Sequence, residues 1–306
     1  MYNLRGDAMK KVIGVLVLLL IPMRLFGADL IKLKQVTSVY ADAAGVGIRQ
    51  PEGVDCNEQS GFVVADTGNG RLIHYQFLEG TVMAGKEIKI PELTYPLVVK
   101  TNSKGDMFAL DGIKRRILHI GSDGLFKGYV DPTGMPAPAV VVPRSFTIDH
   151  DDNLLVLDIL SDRVLLLDAE GKYLRQLEFP QNFGFISDIA VDKKGTIFLI
   201  DSVEAEVFAA SKEAAAFIPF TKDLREYVDF PTAITTDLEG RLFITDRNGS
   251  GIVIIGPNGS FQGRQLSLGR SEGYLNYPSE LCINEKGFVF IADRNNSRIQ
   301  IFTILK

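Results

Sequence analysis

The chain has 306 residues, of which 46% are hydrophobic and 23% are charged, a composition typical of a globular protein. Its 38 acidic and 33 basic residues give a net charge of -5, so the sequence lacks the basic excess with which proteins bind a nucleic-acid backbone. Two cysteines and three histidines, without a CxxC or CxxCH motif, exclude a disulfide-rich scaffold, a zinc ribbon and covalent haem.

The amino-terminal residues 1–28 have the features of an export signal. Lys10 and Lys11 precede an apolar run from Val12 to Ile21, and the small residue Ala28 follows. The apolar run is shorter than the roughly 20 residues that a membrane-spanning helix needs. The sequence therefore predicts a signal peptide, with an uncleaved anchor as the alternative, and a secreted or periplasmic mature chain that has no membrane span.

The remaining residues, 29–306, carry an internal repeat. The pattern is a proline, a short apolar stretch, a turn that usually contains Gly, a denser apolar stretch that ends in Asp and, in four copies, an arginine five positions after that Asp. The terminal Asp recurs at intervals of 43 to 47 residues, which gives six copies. The six are Asp66, Asp111, Asp158, Asp201, Asp246 and Asp293.

Each copy is long enough for three or four short strands, rich in Val, Ile, Leu and Phe and separated by turns such as GSDG and GPNG. A sheet of that size cannot bury both of its faces alone, whereas six sheets stacked around an axis can. The last copy ends one strand short, and the segment from Leu30 to Ala41 is left over before the first copy. We therefore predict an all-β, six-bladed β-propeller as a single domain, with its ring closed by the amino-terminal strand.

The copies resemble NHL repeats. The segments VVADTGNGRLIHY and FIADRNNSRIQIF are close to the family pattern, whereas the fourth copy, FISDIAVDKKGTIFLIDSVEAEVF, lacks both the proline and the arginine. Over essentially all of its mature length the chain is similar to extracytoplasmic NHL-type six-bladed propellers. Some related propellers are enzymes, among them a zinc lyase and calcium-dependent lactonases.

The repeated Asp and Arg form a recurring pair. An Asp that closes one strand and an Arg that opens the next can bridge their loop by charge-assisted hydrogen bonds. Because four copies contain the pair, we predict that its role is structural and not catalytic. The pairs are Asp66 and Arg71, Asp111 and Arg116, Asp158 and Arg163, and Asp293 and Arg298.

Alternating strand directions place the Asp-to-Arg loops and the segments that enter each proline on one face of the ring, here called face X. The first hairpin of each copy lies on the opposite face, face Y. Residues just after the proline position are then expected at the channel mouth on face X, and most of them are small or apolar. The charged ones are Glu52, Arg144, Asp188 and Glu280, and the aromatic residues Tyr95, Phe230 and Tyr277 precede the prolines. We predict a ligand-binding site from these seven residues, with ordinary solvated charges as the alternative.

Few residues are candidates for a metal or a disulfide. His74 and His119 occupy equivalent places in adjacent copies, about 10 Å apart, so we expect them to pack in the protein and not to share a metal. His150 lies in the hairpin DHDDN, where a solvated turn is the preferred interpretation and a calcium site is the alternative. Cys56 and Cys282 fall in copies that ring closure makes neighbours. Two buried free thiols are expected there, and a disulfide is the alternative.

Catalytic motifs such as GxSxG, HExxH and a Gly-rich phosphate loop do not occur in the sequence. We therefore predict a noncatalytic module, with no catalytic residue and no resident metal, that binds an extracytoplasmic protein or peptide through face X. A monomer is expected, alone or within a larger assembly. The alternative is a metal-dependent lactonase or lyase, with Asp188 and Glu280 as candidate calcium ligands. The metal of this alternative is calcium or zinc, and calcium is the possible cofactor.

Overall fold

A computed structural model describes residues 31–56, 61–78, 80–221 and 223–305. The predicted signal peptide lies outside these ranges. In the described part, 24 strands form six four-stranded antiparallel sheets, and two 3-10 turns are the only helical segments. No helix among the described residues is long and apolar enough to cross a membrane.

The strands follow one another in chain order. The first twelve are β1 (Lys32–Val39), β2 (Gly53–Cys56), β3 (Gly61–Asp66), β4 (Arg71–Leu78), β5 (Thr81–Ile88), β6 (Pro96–Thr101), β7 (Met107–Asp111), β8 (Arg116–Ile120), β9 (Phe126–Tyr129), β10 (Pro143–Ile148), β11 (Leu154–Asp158) and β12 (Arg163–Leu167). The others are β13 (Tyr173–Glu178), β14 (Ile186–Val191), β15 (Ile197–Asp201), β16 (Glu206–Ala210), β17 (Ile218–Pro219), β18 (Pro231–Thr236), β19 (Leu242–Asp246), β20 (Gly251–Ile255), β21 (Phe261–Gln265), β22 (Leu281–Ile283), β23 (Phe288–Asp293) and β24 (Arg298–Leu305). The 3-10 turns are Thr67–Asn69 and Arg294–Asn296.

Consecutive strands pair into blades. Blades 1 to 5 each contain four successive strands, beginning with β2, β6, β10, β14 and β18. Blade 6 has the order β22, β23, β24, β1, so its outer strand comes from the amino-terminal part of the chain. The pairing runs from Lys32 opposite Leu305 to Val39 opposite Ile299. The predicted six-bladed propeller and its closure by the amino-terminal strand are confirmed.

The middle strands are apolar on both faces because each blade lies between two others. The strands β7, β11 and β15 are buried at every position, although alternating polarity would be expected of a sheet with one face in water. The seam between blades 6 and 1 shows this packing, since the rings of Phe62 and Phe290 lie 4.9 Å apart there. The blade stacking that the sequence predicts thus buries the strands' two apolar faces.

The motif Asp holds the loops on face X together. Asp66 accepts a hydrogen bond from Arg71 Nε at 2.7 Å, and the same bond joins Asp293 to Arg298 at 2.7 Å. The carboxylate of Asp158 lies 3.0 Å from Nε of Arg163. All six of these side chains are almost fully buried. In these three blades the geometry is that of the predicted structural pair.

Blade 2 differs from the prediction. Arg116 does not bind Asp111; its side chain is 44% exposed, lies 2.8 Å from Asp131 and stacks over the ring of Tyr129 at 3.5 Å. Asp111 accepts backbone N–H groups instead, including that of Lys114 at 2.8 Å, and these bonds lower its pKa to about 2 against the cost of burial. The loop can therefore close on main-chain donors alone.

Blade 5 obtains its arginine from another strand. Gly251 occupies the position where the motif has Arg, and Arg264 of β21 reaches Asp246 at 2.6 Å. A Cβ atom at Gly251 would lie 2.8 Å from the Arg264 guanidinium, so this glycine makes room for the substitute. The ion pair is retained although the sequence motif is lost.

A disulfide joins blades 1 and 6. Cys56 of β2 and Cys282 of β22 are bonded, with a Cα–Cα distance of 5.9 Å, which is within the range that a disulfide spans. The expectation of two free thiols is therefore wrong. It assumed that the inner strands of adjacent blades diverge too far at this depth, whereas here they remain within bridging distance.

Candidate functional site at the channel mouth of face X

The first strand of each blade lines the central channel. Around the ring, β2, β6, β10, β14, β18 and β22 each contact the first strand of both neighbouring blades. At the face X end of blades 2 to 5, the pairing with the second strand skips one residue, which is a β-bulge. The skipped residues are Leu97, Arg144, Ser187 and Thr232. A bulge reorients a side chain, and all four line the channel mouth.

The mouth contains a cavity of about 140 Å³. The structure brings four of the predicted residues together in its wall, namely Glu52, Arg144, Asp188 and Glu280. Small residues complete much of the wall: Ser145, Ser187, Thr232, Ala233 and Ser279. The predicted aromatic residues Tyr95, Phe230 and Tyr277 are not among the described residues that line this cavity.

Lys100 lies beneath the mouth and was not predicted from the sequence. Its Nζ lies 2.5 Å from Oε1 of Glu280, which joins blade 2 to blade 6 across the channel. Burial opposes the charge of Lys100, but the carboxylates of Glu280, Asp55 and Asp188 outweigh it and raise the pKa of Lys100. Burial also raises the pKa of Glu280, to about 8.

The two aspartates of this cluster bind neighbouring blades. Asp188 of blade 4 accepts the hydroxyl of Ser145 at 2.6 Å and the backbone N–H of Ile234 at 2.9 Å, so it connects three blades. Asp55 accepts the N–H of Thr101 at 2.8 Å and its hydroxyl at 2.6 Å. Burial raises the pKa of both carboxyls. These acids belong to the internal framework of the channel.

Glu52 forms ion pairs at the rim. Arg247 lies 3.0 Å from one of its oxygens, and Nε of Arg294 donates to the other. Both guanidinium groups also lie over the ring of Tyr277, at 5.4 and 6.0 Å from its centroid. Tyr277 has a left-handed backbone conformation, with φ of 57°, which is strained for an aromatic residue. Tyr277 thus contacts the arginines of the rim and does not form part of the cavity wall.

Arg144 has no carboxylate partner in the part of the chain that the structure describes. Its guanidinium lies 5.2 Å from the ring centroid of Phe185, and its buried Nε has no hydrogen-bond acceptor. Burial lowers its pKa, and so does the positive charge of Arg115. The mouth predicted as three carboxylates and one guanidinium therefore presents a different surface, because the carboxylates are engaged and Arg144 is not.

One half of face X carries large exposed apolar side chains. In blades 2 to 4 the second residue after the motif Asp is a large exposed hydrophobic one, and the residue before the first strand is an exposed aromatic in blades 2 and 4. These residues form what we call the apolar sector: Tyr95, Ile113, Leu160, Phe185 and Val203. Blades 1, 5 and 6 have Gly68, Asn248 and Asn295 after the Asp. Phe230 lies in the polar half and is partly buried.

The histidines lie away from the face X mouth. His119 stacks on Phe108 at 4.6 Å, and its Nε2 lies 2.8 Å from Asp106. Burial lowers the pKa of His74, which is half-buried. His150 lines a larger cavity of about 470 Å³ at the face Y end of the channel, together with Asp149 and Asp152.

Within the described ranges, no group of three His, Cys, Asp or Glu residues is arranged to hold a metal ion. The acids that could have held calcium in the channel surround an ammonium group, because Glu280 bonds to Lys100 and Asp188 interacts with it electrostatically. Asp188 uses both of its oxygens on protein donors. This donor set does not fit a calcium ion unless Lys100 withdraws.

Sequence reasoning missed Lys100 and Asp55, although a signal for them exists. Side chains alternate along a strand, so the second and fourth residues after the proline point to the same side. Asp188 and Glu280 are second residues, whereas Lys100 and Asp55 are fourth residues. A search that stops two residues after the proline therefore finds Asp188 and Glu280 but not Lys100 and Asp55. The apolar sector could be found in a similar way, because three of its residues stand two positions after the motif Asp.

Solved structures with the same architecture include enzymes. A streptogramin B lyase aligns with a TM-score of 0.64 at 13% identity, covering 90% of this chain and 98% of the lyase. A gluconolactonase from Xanthomonas campestris aligns with a TM-score of 0.65 at 13% identity, covering 89% and 97%. A catalytically inactive virginiamycin B lyase from Staphylococcus aureus, solved with quinupristin, gives 0.63 at 15% identity, covering 90% and 100%. At these identities the similarity shows the fold alone.

A search of curated protein sequences finds no match to this chain. The family profile described as NHL repeat matches residues 275–302, which include most of blade 6. The remaining blades have the same strand order and the same motif Asp at the end of their second strand. The NHL match and the six-bladed β-propeller fold confirm the predicted resemblance to NHL-repeat proteins.

Proposed function

We propose that this propeller is an exported, noncatalytic binding module that engages a protein or peptide through face X. The observation that carries the proposal is the apolar sector. Five large apolar or aromatic side chains are exposed on one half of a single face, beside the charged mouth. Exposed apolar patches with a polar border are typical of protein interaction sites.

The size of the mouth also favours a peptide or a protein loop. Pockets for drug-sized ligands have about 300–1,000 Å³, and the cavity holds about 140 Å³. A cavity of this size accepts one side chain or one chain end. The rest of such a ligand would lie outside the cavity, where the apolar sector can contact it.

A binding experiment tests the site. Peptides selected from a random display library on the immobilised propeller should lose affinity for the triple variant Ile113→Ser, Leu160→Ser, Val203→Ser. We expect a loss of at least about tenfold, which corresponds to about 1.4 kcal/mol summed over the three side chains. Fluorescence polarisation measures the affinity. The control is Leu125→Ser, Leu238→Ser, Ile218→Ser, which removes three equally exposed apolar side chains outside the apolar sector.

Two outcomes would contradict the binding proposal. Equal affinity for both triple variants would place the peptide site elsewhere. Failure to select any peptide, together with metal-dependent hydrolysis or elimination on small esters by the purified protein, would favour the lactonase or lyase alternative. The structural neighbours named above include two lyases and a gluconolactonase, which is why this alternative is the one to test.

Export is part of the proposal, and the disulfide supports it. A disulfide between the first and last blades forms stably in oxidising compartments and is rare in the cytosol. We expect mass spectrometry of the extracytoplasmic protein to show a new amino terminus near Ala28 or Asp29. An intact Met1 or Met9 in the cytoplasmic fraction would contradict export.

A further inference from the structure

The face X mouth concentrates polar atoms that have no partner. Among the described residues, five buried side-chain nitrogen or oxygen atoms lack a hydrogen bond. Three of them belong to residues that line the mouth cavity, namely Nε of Arg144, Nε of Arg247 and the hydroxyl of Thr232. Buried polar atoms are nearly always paired, so such a cluster requires an explanation. The two Nε groups are donors without an acceptor.

The anions around Arg144 do not offset its burial and the neighbouring positive charges. Arg115 and Arg247 disfavour its charge, while Asp188 and Glu52 favour it. Together with burial, the unfavourable contributions prevail and lower the pKa of Arg144. A guanidinium nevertheless stays protonated in proteins. A negative group beside Arg144 would therefore relieve repulsion that the folded chain leaves in place.

The carboxylates of the cavity cannot supply that negative group. Glu280 bonds to Lys100, Asp188 bonds to Ser145 and Ile234, and Glu52 binds Arg247 and Arg294. None of them bonds to Arg144, although all line the same cavity. The mouth thus has a positive charge on Arg144 that no carboxylate bonds, whereas the carboxylates around it are bonded to other groups.

We propose that the face X mouth is a carboxylate-binding site in which Arg144 is the principal anchor and Arg247 and Thr232 are secondary donors. The inference rests on the proposed peptide-binding function and names the group that enters the cavity. A carboxylate suits a guanidinium because its two oxygens accept parallel hydrogen bonds. It can come from an acidic side chain or from the carboxyl terminus of a chain. The neighbouring residues of the ligand are apolar, since Phe185 of the apolar sector lies against Arg144.

The first test uses acetate as the probe. In the mature protein labelled with 15N-arginine, acetate should shift the Nε–H resonance of Arg144 in a saturable manner. Acetamide, which has the same shape without the charge, should not, nor should chloride at equal ionic strength. The resonance is assigned by its loss in Arg144→Lys. Equal shifts with acetate and acetamide, or no shift with acetate, would overturn the carboxylate site.

The second test uses substitutions. Arg144→Gln should weaken acetate binding by at least about tenfold. In this variant, the Arg247 Nε–H resonance reports the binding. Arg144→Lys should retain part of the affinity, because it keeps the charge without the planar fork. Lys193→Gln is the matched control, since it removes one positive charge at the face Y opening of the channel. Equal affinity of Arg144→Gln and Lys193→Gln would refute the role of Arg144. Thermal unfolding of each variant establishes that it is folded.

Short peptides distinguish the two sources of the carboxylate. Acetyl-Leu-Ala-Leu with a free carboxyl terminus tests a chain end, and acetyl-Leu-Asp-Leu-amide tests an acidic side chain. Acetyl-Leu-Ala-Leu-amide has neither and should not bind the mouth. Binding of acetate without either acidic peptide would leave the carboxylate site intact and count against the peptide-binding function. Binding of the neutral peptide with the same affinity as the acidic peptides would support the peptide-binding function and contradict the carboxylate site.

Discussion

Removal of residues 31–41 should expose the edge of blade 6 and strongly destabilise the propeller. The deletion removes β1, which pairs with β24 from Lys32 to Val39. It also removes Ile31 and Val39, two buried side chains whose loss costs roughly 3–6 kcal/mol at 1.5–3 kcal/mol each. The uncovered strand, RIQIFTIL, is a long apolar edge of the kind that leads to aggregation. Thermal unfolding and size-exclusion chromatography measure both effects.

A peptide added in trans provides the control for this deletion. A synthetic segment with the sequence of residues 31–41 should restore the monodisperse elution and raise the unfolding midpoint, whereas a scrambled peptide should do neither. The disulfide between Cys56 and Cys282 still holds blade 1 to blade 6 in the deleted protein. Reduction should therefore destabilise the deleted protein more than the full chain. An unchanged midpoint with monodisperse elution after deletion would show that β1 does not close the ring.

The sequence could predict the ring because the fold depends on a repeated pattern. An Asp at the end of each second strand and a turn every 43 to 47 residues establish the blades without knowledge of any single contact. The strand count predicts closure, since the last copy lacks one strand and one additional strand precedes the first copy. The prediction of a pattern that repeats six times remains valid when single copies deviate, as the fourth copy does by its loss of proline and arginine.

The contacts of single side chains could not be predicted in the same way. The sequence motif pairs Arg116 with Asp111, yet Arg116 reaches Asp131, while Arg264 serves Asp246 from a different strand. The sequence identifies the charged residues of the mouth but not their ion-pair partners, because Lys100 reaches Glu280 across the channel from a non-adjacent blade. Such long-range pairs depend on the curvature of the ring and on side-chain length. The mouth therefore has engaged carboxylates and an unpaired guanidinium nitrogen, which the residue types alone do not predict.

Lys100 should be the most sensitive single position in the channel. Replacement of Lys100 by Met leaves Glu280, Asp55 and Asp188 buried without their counter-charge. Removal of one partner from a buried ion pair costs about 3–5 kcal/mol, and both side chains of this pair are largely buried. We expect a loss of that size in the free energy of unfolding near pH 8, measured by urea denaturation. Lys193→Met, an exposed lysine at the face Y opening, should have little effect.

The loss should depend on pH in a defined direction. Burial raises the pKa of Glu280 to about 8, above its ordinary value of 4.5, so the native state keeps a proton that the unfolded state releases. Stability from this group is therefore present at pH 4 and declines as the pH rises toward 8. Without Lys100, which lowers the pKa of all three acids, further protons should be retained and the decline should be steeper.

A second substitution separates charge from packing. Glu280→Gln in the Lys100→Met background removes one uncompensated acid while it keeps the size of the side chain. The double variant should therefore be more stable at pH 8 than Lys100→Met alone, and its stability should vary less between pH 5 and pH 8. If the two variants had the same stability and the same pH dependence, loss of packing and not of the counter-charge would explain the effect. Lys100 would then not be the cation that neutralises the channel.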